Sequence, residues 1–184
     1  MLLCGIDEAG RGPLAGPVTA AAVILPDDFP VELLDDSKVL SERQRTRAAA
    51  ALMCRAVDYS LGWAWPEEID RINVLRASLV AMARAFEGLK VRPEKVLVDG
   101  PYLPDIPVDS EAVVHGDSYV LSIQAASILA KTARDRWMIR YSWIDGRYGF
   151  ERHKGYPTVE HRRLCRRYGL SPIHRRSFRI FVDS

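Results

Sequence analysis

Gly5-Ile6-Asp7-Glu8-Ala9-Gly10-Arg11-Gly12-Pro13 sets two adjacent carboxylates at the end of a short apolar run, Leu2 to Ile6, and follows them with an arginine between two glycines. The run reads as a buried strand, and a buried strand seldom carries two acids unless something cationic meets them. The glycines free backbone N–H groups to approach a phosphate or sugar closely. The plainer alternative is a strand end where Asp7 and Glu8 are only solvated. The continuation through Gly16 is neither a dinucleotide fingerprint nor a P-loop, because Pro13 and Pro17 lead into Val18 to Leu25, a second apolar run, where those motifs need a helix. Two strands joined by a Gly/Pro loop predict an antiparallel pair.

Outward from that pair, Ser41-x-x-Gln44 is a capping-box pattern that opens an alanine-rich helix to about Val57. Tyr59, Leu61, Trp63 and Trp65 alternate with small residues and predict a third strand whose aromatic face belongs to the core. Pro66 starts a short helix. Asn73 caps a longer one, with Leu75, Leu79, Met82 and Phe86 on one face and an end near Gly88. Lys95 to Val98 is a fourth strand, and the preceding helix makes a parallel crossover its natural connection. Ala112 to His115 is a short fifth, followed by Gly116-Asp117-Ser118 and an apolar helix through about Arg140. The chain thus predicts an α/β fold in which residues 1–144 form the main domain and residues 145–184 a basic extension packed on it.

Composition narrows the class. With 184 residues, one substantial core is expected. Cys4, Cys54 and Cys165 are odd in number and widely spaced, which indicates neither a disulfide framework nor zinc and fits a reducing cytoplasm. No apolar run approaches the ~20 residues of a membrane span, and no basic-then-apolar leader is expected, since charge arrives at Asp7. The net charge of +2 is unevenly placed. Residues 1–130 hold 12 Lys/Arg against 19 Asp/Glu, and residues 131–184 hold 14 against 5. A basic half is as compatible with solvated helical faces as with a polyanion site. Arg162, Arg163, Arg166 and Arg167 fit the first reading equally well. The interleaving of cations with Tyr148, Tyr156, Tyr168 and Phe178, and the Lys154-Gly155-Tyr156-Pro157-Thr158 loop, fit the second.

Asp99 closes the fourth strand before Gly100-Pro101, where an open α/β sheet presents ligand-binding side chains. Asp-Gly-Pro is also ordinary turn chemistry. If that strand runs parallel to the first, Asp7 and Asp99 become neighbours, and Asp117 can close the cluster even while capping its helix. Successive strand side chains point to opposite faces, so Glu8 joins the site only if the pleat breaks there. An all-oxygen site without His or Cys selects Mg²⁺ or Mn²⁺, and two such ions ~4 Å apart suit phosphoryl transfer.

These residues, in order, carry a resemblance. Asp7-Glu8-Ala9-Gly10-Arg11-Gly12, Asp36-Ser37-Lys38, Val98-Asp99-Gly100, Gly116-Asp117, Ala125 to Lys131, Lys154 to Thr158 and Ser171-Pro172-x-His174-Arg175-Arg176-Ser177-Phe178 together resemble bacterial ribonuclease HII, nearly end to end. The resemblance implies a ribonuclease H-like fold: a five-stranded mixed sheet flanked by helices, with a C-terminal helical extension. It implies a monomeric, metal-dependent endonuclease that cuts the RNA strand of RNA/DNA hybrids and cleaves 5′ to ribonucleotides embedded in duplex DNA. By position, Asp7, Glu8, Asp99 and Asp117 would bind the two Mn²⁺ or Mg²⁺ ions, Gly10, Arg11 and Gly12 would contact the ribonucleotide, and Tyr156 would stack at the RNA-to-DNA junction. Ser37, Lys38, Ser127, Lys131, Lys154, Arg175 and Arg176 would contact the nucleic acid. Gln124 departs from the pattern, standing where the family's helix usually carries a small apolar residue. Another two-metal nuclease or strand-transfer domain, and a nucleic-acid binding module with structural acids, are the competing readings.

Overall fold

The computed structural model describes residues 2–35 and 39–181. Strand β1 (Leu3–Ala9) lies at the centre of a five-stranded sheet, antiparallel to β2 (Val18–Ile24) and parallel to β4 (Lys95–Asp99). β3 (Asp58–Ala64) extends the sheet antiparallel beyond β2, and β5 (Ser110–Val113) extends it parallel beyond β4. The helices are α1 (Glu42–Arg55), α2 (Pro66–Ile72), α3 (Val74–Glu87), α4 (Leu121–Ile144), α5 (Phe150–His153) and α6 (Val159–Tyr168).

The starts of these helices follow from local chemistry. Ser41 and Gln44 form the capping box of α1. The Asn73 side chain accepts the Arg76 N–H of α3, and the Thr158 hydroxyl accepts the His161 N–H of α6. The fifth strand stops two residues earlier than expected, because His115 adopts a left-handed conformation at φ 58° and turns the chain into the Gly116–Ser118 turn.

The period-2 alternation of the strands sorts the sheet into two faces. Cys4 and Ile6 of β1, Ala20, Ala22 and Ile24 of β2, and Val96 and Val98 of β4 pack with α3. Against expectation, α3 meets the sheet mainly through Ala77, Ala81 and Ala85 with Met82 and Phe86, while Leu75 and Leu79 are half-buried. Small side chains there allow close approach: a Cβ on Gly62 would lie 2.0 Å from the Ala81 carbonyl oxygen. Ala21 and Val23 face the other way, onto α1 and the Ala125–Ala130 stretch of α4. The aromatic face of β3 is core only in part: half-buried Tyr59 and Leu61 pack against the α1 and α4 side, whereas Trp63 is half-buried and Trp65 exposed, in a row of ring contacts with Trp137.

The position of α4 depends on Gly5. A Cβ there would fall 2.1 Å from the Ser122 carbonyl carbon, so the helix start can sit over β1 only because residue 5 has no side chain. Gly5→Ala is therefore expected to destabilise the protein by ~1–3 kcal/mol, the usual cost of overpacking, seen as a lowered urea midpoint; an unchanged midpoint would contradict this packing.

Candidate active site

The sheet's parity decides which acids meet. With Ile6 and Val98 facing α3, Asp7 and Asp99 project to the α4 side from neighbouring parallel strands, paired up to Ile6 and Val98. Asp117, in the turn ahead of α4, joins them: one carboxylate oxygen from each of the three lies within 4.8 Å of the others. Asp117 is not the N-cap of α4, a place taken by Val120. Its own backbone N–H donates to Asp99 Oδ1 at 3.2 Å, which ties the turn to the end of β4.

Glu8 behaves differently from expectation. The β1–β2 ladder continues unbroken through Glu8↔Ala20 and Ala9↔Thr19, so the pleat does not break at Glu8. Its side chain leaves toward α3 and lines a small cleft with Leu75, Leu79 and Met82. Because it stands at the strand's end, it also borders the main cleft, where its carboxyl is hydrogen-bonded to that of Asp7 and accepts from Arg11 at 3.4 Å. Glu8 is thus at the rim of the three-acid group.

Burial pushes the Asp7 carboxyl well above the usual carboxylate range, and the charges of Glu8 and Asp99 push it further; a hydrogen bond from Ser127 opposes them. Glu8 is raised too, again chiefly by burial. Acids crowded and buried to this degree are the electrostatic signature of a cation site, and the donor set is entirely oxygen. The group fits hard divalent ions.

A cleft of about 410 Å³ opens above the acids, bordered by Gly10, Arg11 and Gly12 on one side and by Lys131 and Tyr156 on another. Arg45 of α1 also reaches it, a residue that the sequence reading passed over; its place one turn into a capped helix was the available signal. Tyr156 is 38 % exposed, with Lys131 Nζ 5.1 Å and Arg134 Cζ 5.9 Å from its ring centroid. Lys131 also pairs with Asp135 at 2.9 Å. The Lys154 ammonium donates to the Glu151 carbonyl.

Two of the expected nucleic-acid contacts are buried. Ser127 borders the cleft but is 4 % exposed and hydrogen-bonds Asp7. Arg175 is 0 % exposed, donating from Nε to Gly16 O at 2.9 Å and from its two terminal nitrogens to Arg11 O at 2.9 Å and Gly10 O at 2.5 Å. Tyr148, one of the aromatics read as interleaving with exposed cations, is wholly buried. Arg176 is exposed, while its backbone N–H is held by Asp70. Ser37 and Lys38 lie outside the described residues.

Arg134, which the sequence reading missed, repeats the pattern of Arg175. It is 0 % exposed and donates to Pro17 O at 2.9 Å, Ala15 O at 3.0 Å and Lys154 O at 3.0 Å. The signal was its spacing: Ala130, Arg134 and Met138 form an i, i+4 stripe on the buried side of α4. The glycines acquire a second purpose from it. Gly10 has φ +96° and a Cβ on it would lie 2.1 Å from Arg134 Nε, so the loop is glycine-rich partly to let the guanidinium through. Gly12 is different, with only Tyr156 Cε1 at 3.9 Å from where its Cβ would stand.

With this geometry in place, the comparisons agree. The model of the ribonuclease HII family matches residues 4–181. This chain belongs to the ribonuclease HII family. The ribonuclease HII of Treponema denticola is 50 % identical over 193 residues, covering 96 % of this chain and 98 % of that protein. The crystal structure of ribonuclease H2 from Pyrococcus horikoshii superposes with a TM-score of 0.79 at 27 % identity, covering 98 % of this chain and 95 % of that one. A Bst-RNase HIII structure in complex with Mn²⁺ shares the fold, with a TM-score of 0.77 at 19 % identity over 98 % of this chain and 68 % of its own. The five-stranded mixed sheet with flanking helices is thus a ribonuclease H-like fold, and the protein is a metal-dependent endoribonuclease. No helix among the described residues is long and apolar enough to cross a membrane.

Beside the cleft, His161 and His174 are buried, with their Nε2 atoms 3.0 Å apart, and burial lowers each from 6.5 to about 4. Both are neutral when folded but take up protons near pH 6.5 when unfolded. The stability that depends on their neutrality is therefore complete above that pH and drains as pH falls toward 4. Urea midpoints should drop from pH 7 to pH 5, and His174→Gln should flatten the drop; an equal slope in wild type and variant would contradict this assignment.

Proposed function

We propose that this chain hydrolyses the RNA strand of RNA/DNA hybrids and cleaves on the 5′ side of a ribonucleotide embedded in duplex DNA, leaving 3′-hydroxyl and 5′-phosphate ends. The observation that carries the reading is the convergence on one cleft of the three crowded carboxylates, the Gly10–Gly12 loop and the exposed Tyr156 ring.

In this reading Asp7, Asp99 and Asp117, with Glu8 at the rim, hold two Mn²⁺ or Mg²⁺ ions in the catalytic state. Such ions, when bound, activate a water and stabilise the leaving oxygen of an in-line displacement. The protein's own contribution is placement. Ser127 orients the Asp7 carboxylate, and the Asp117 N–H fixes that of Asp99. A sugar held by Gly10, Arg11 and Gly12 has its 5′ phosphate beside Asp7, because the loop continues directly from β1. The 2′-hydroxyl is the group that separates ribose from deoxyribose, and it both donates and accepts hydrogen bonds. Tyr156, across the cleft, stacks on the following nucleotide and favours a deoxyribose there. Arg11, Arg45, Lys131, Lys154 and Arg176 supply positive charge to the backbone of the duplex, and affinity falls with salt as counterion release loses its advantage.

The test uses end-labelled duplexes carrying no, one or several ribonucleotides, with Mg²⁺, Mn²⁺ or EDTA. The single-ribonucleotide duplex should be cut at its 5′ phosphate, the all-DNA duplex should not, and EDTA should abolish cutting. Equal cutting of the two duplexes would rule the recognition scheme out. Asp7→Asn and Asp99→Asn should each abolish cleavage while leaving hybrid binding largely intact. Asp117→Asn should be as severe, since that residue does not cap α4; near-normal turnover in any of the three at saturating metal would sink the carboxylate assignment.

A further inference from the structure

Tyr156 sits in a loop that the chain holds in an unfavourable backbone conformation. Lys154 has φ 52°, in the left-handed region that disfavours a side chain, and Gly155 follows at φ +87°, where a Cβ would lie 2.5 Å from the Ala15 carbonyl oxygen. Such a loop keeps its shape only if its surroundings over-determine it. Here they do: Lys154 O accepts from Arg134, Gly155 O from the Leu14 N–H at 2.8 Å, and Tyr156 N–H donates to His153 O at 2.9 Å. Histidines supply two more ties. His153 Nδ1 accepts the Gly155 N–H at 3.1 Å, and His161 Nδ1 lies 2.9 Å from the Tyr156 carbonyl oxygen.

The backbone partners determine where each ring carries its proton. A carbonyl oxygen can only accept, so His161 carries its proton on Nδ1 and leaves Nε2 bare. Ser171 N–H donates to His174 Nδ1 at 2.9 Å, so His174 carries its proton on Nε2, where it meets the bare Nε2 of His161 at 3.0 Å. By the same logic His153 donates from Nε2 to Tyr148 O at 2.8 Å. The result is a directed chain from Ser171 through His174 and His161 to Tyr156, with the His153 ring stacked 4.3 Å from that of His161.

Cys165 completes a His161–Cys165–His174 group close enough to suggest a metal. The surroundings argue otherwise: no fourth His, Cys or carboxylate joins the three among the described residues, and Tyr148 and Phe150 wall the group with aromatic carbon.

We propose that His161 is a positioning residue for substrate discrimination: its Nδ1–H, directed by His174, fixes the Tyr156 backbone and so aims the ring that reads the nucleotide after the ribonucleotide. The inference rests on the junction-reading role given to Tyr156 above. Its consequence is specific to one nitrogen. Asparagine places its amide where Nδ1 stands and keeps the bond to Tyr156, whereas glutamine places its amide where Nε2 stands and keeps the bond to His174. Each variant loses one buried hydrogen bond, so a merely structural role would make them equivalent.

The experiment measures kcat/KM for His161→Asn, His161→Gln and Tyr156→Ala on the single-ribonucleotide duplex and on a uniform RNA/DNA hybrid, alongside thermal unfolding. His161→Gln should lower the single-to-hybrid ratio about tenfold, the scale of one hydrogen bond, and His161→Asn should hold it within about threefold, although both unfold at similarly reduced temperatures. Equal ratios for the two variants, with Tyr156→Ala lowering the ratio, would overturn the positioning role while leaving the junction reading intact. A normal ratio in Tyr156→Ala would instead overturn the junction reading and this inference with it. Should His161→Gln fail to fold, imidazole ¹⁵N NMR of the wild type decides, since a proton on His161 Nε2 in place of Nδ1 would overturn the proposal.

Discussion

Two guanidinium groups, Arg134 from α4 and Arg175 from the C-terminal extension, lie fully buried and spend their donors on the carbonyls of Gly10, Arg11, Ala15, Gly16, Pro17 and Lys154. Burial lowers both, to about 10 and about 9, which still leaves them charged at neutral pH. The arrangement is costly to assemble and costlier to break, because removing one guanidinium strands two buried carbonyls, at ~1–3 kcal/mol each, and a third that is partly buried. It joins three parts that are distant in sequence: the loop after β1, the long helix, and residues beyond 150. The extension also shares a cluster of side chains with that loop, where Leu14 and Ala15 pack with Met138, Tyr148, Phe150 and Ile173.

That interlock explains why the site can be precise although most of it is built from loops. The carboxylates are aligned by the sheet, since parity alone puts Asp7 and Asp99 on the α4 side and Glu8 at the rim. The elements proposed to meet the nucleic acid are aligned by the arginines. Arg134 binds both the Gly10–Gly16 side, through Ala15, and the Tyr156 side, through Lys154, so the two walls of the cleft are referenced to a single side chain. The distances from the acids to the Gly10–Gly12 loop, and from that loop to Tyr156, are thereby set together.

Much of this was legible in the sequence. Element types followed from period and caps, as at Ser41-x-x-Gln44, Asn73 and Thr158, and the parallel pairing of β1 with β4 followed from the intervening helix, which brought Asp7 and Asp99 together. What was not legible depended on side-chain direction across long separations. Arg175 and Arg176 are adjacent and chemically alike, yet one is buried and the other exposed; composition read both as surface charge. Asp117 looked like a helix cap because Gly-Asp-Ser precedes an apolar stretch, but a short turn intervenes and Val120 takes that place. Glu8 was expected to need a break in the pleat, whereas a strand end borders both faces without one. The contact between His161 and His174 forms only after α6 folds back on the segment that follows it.

The central claim is that buried arginines, by setting the loop's register, couple the acid cluster to the nucleic acid. It is tested most directly with Arg175→Lys, which keeps the charge but cannot reach three carbonyls at once. Mn²⁺ affinity and hybrid cleavage would be measured on the same preparation and normalised to the folded fraction from near-ultraviolet circular dichroism. The account predicts Mn²⁺ binding close to that of the wild type and cleavage reduced about 100-fold, the scale of a misplacement of ~1 Å. Wild-type turnover per folded molecule would contradict it.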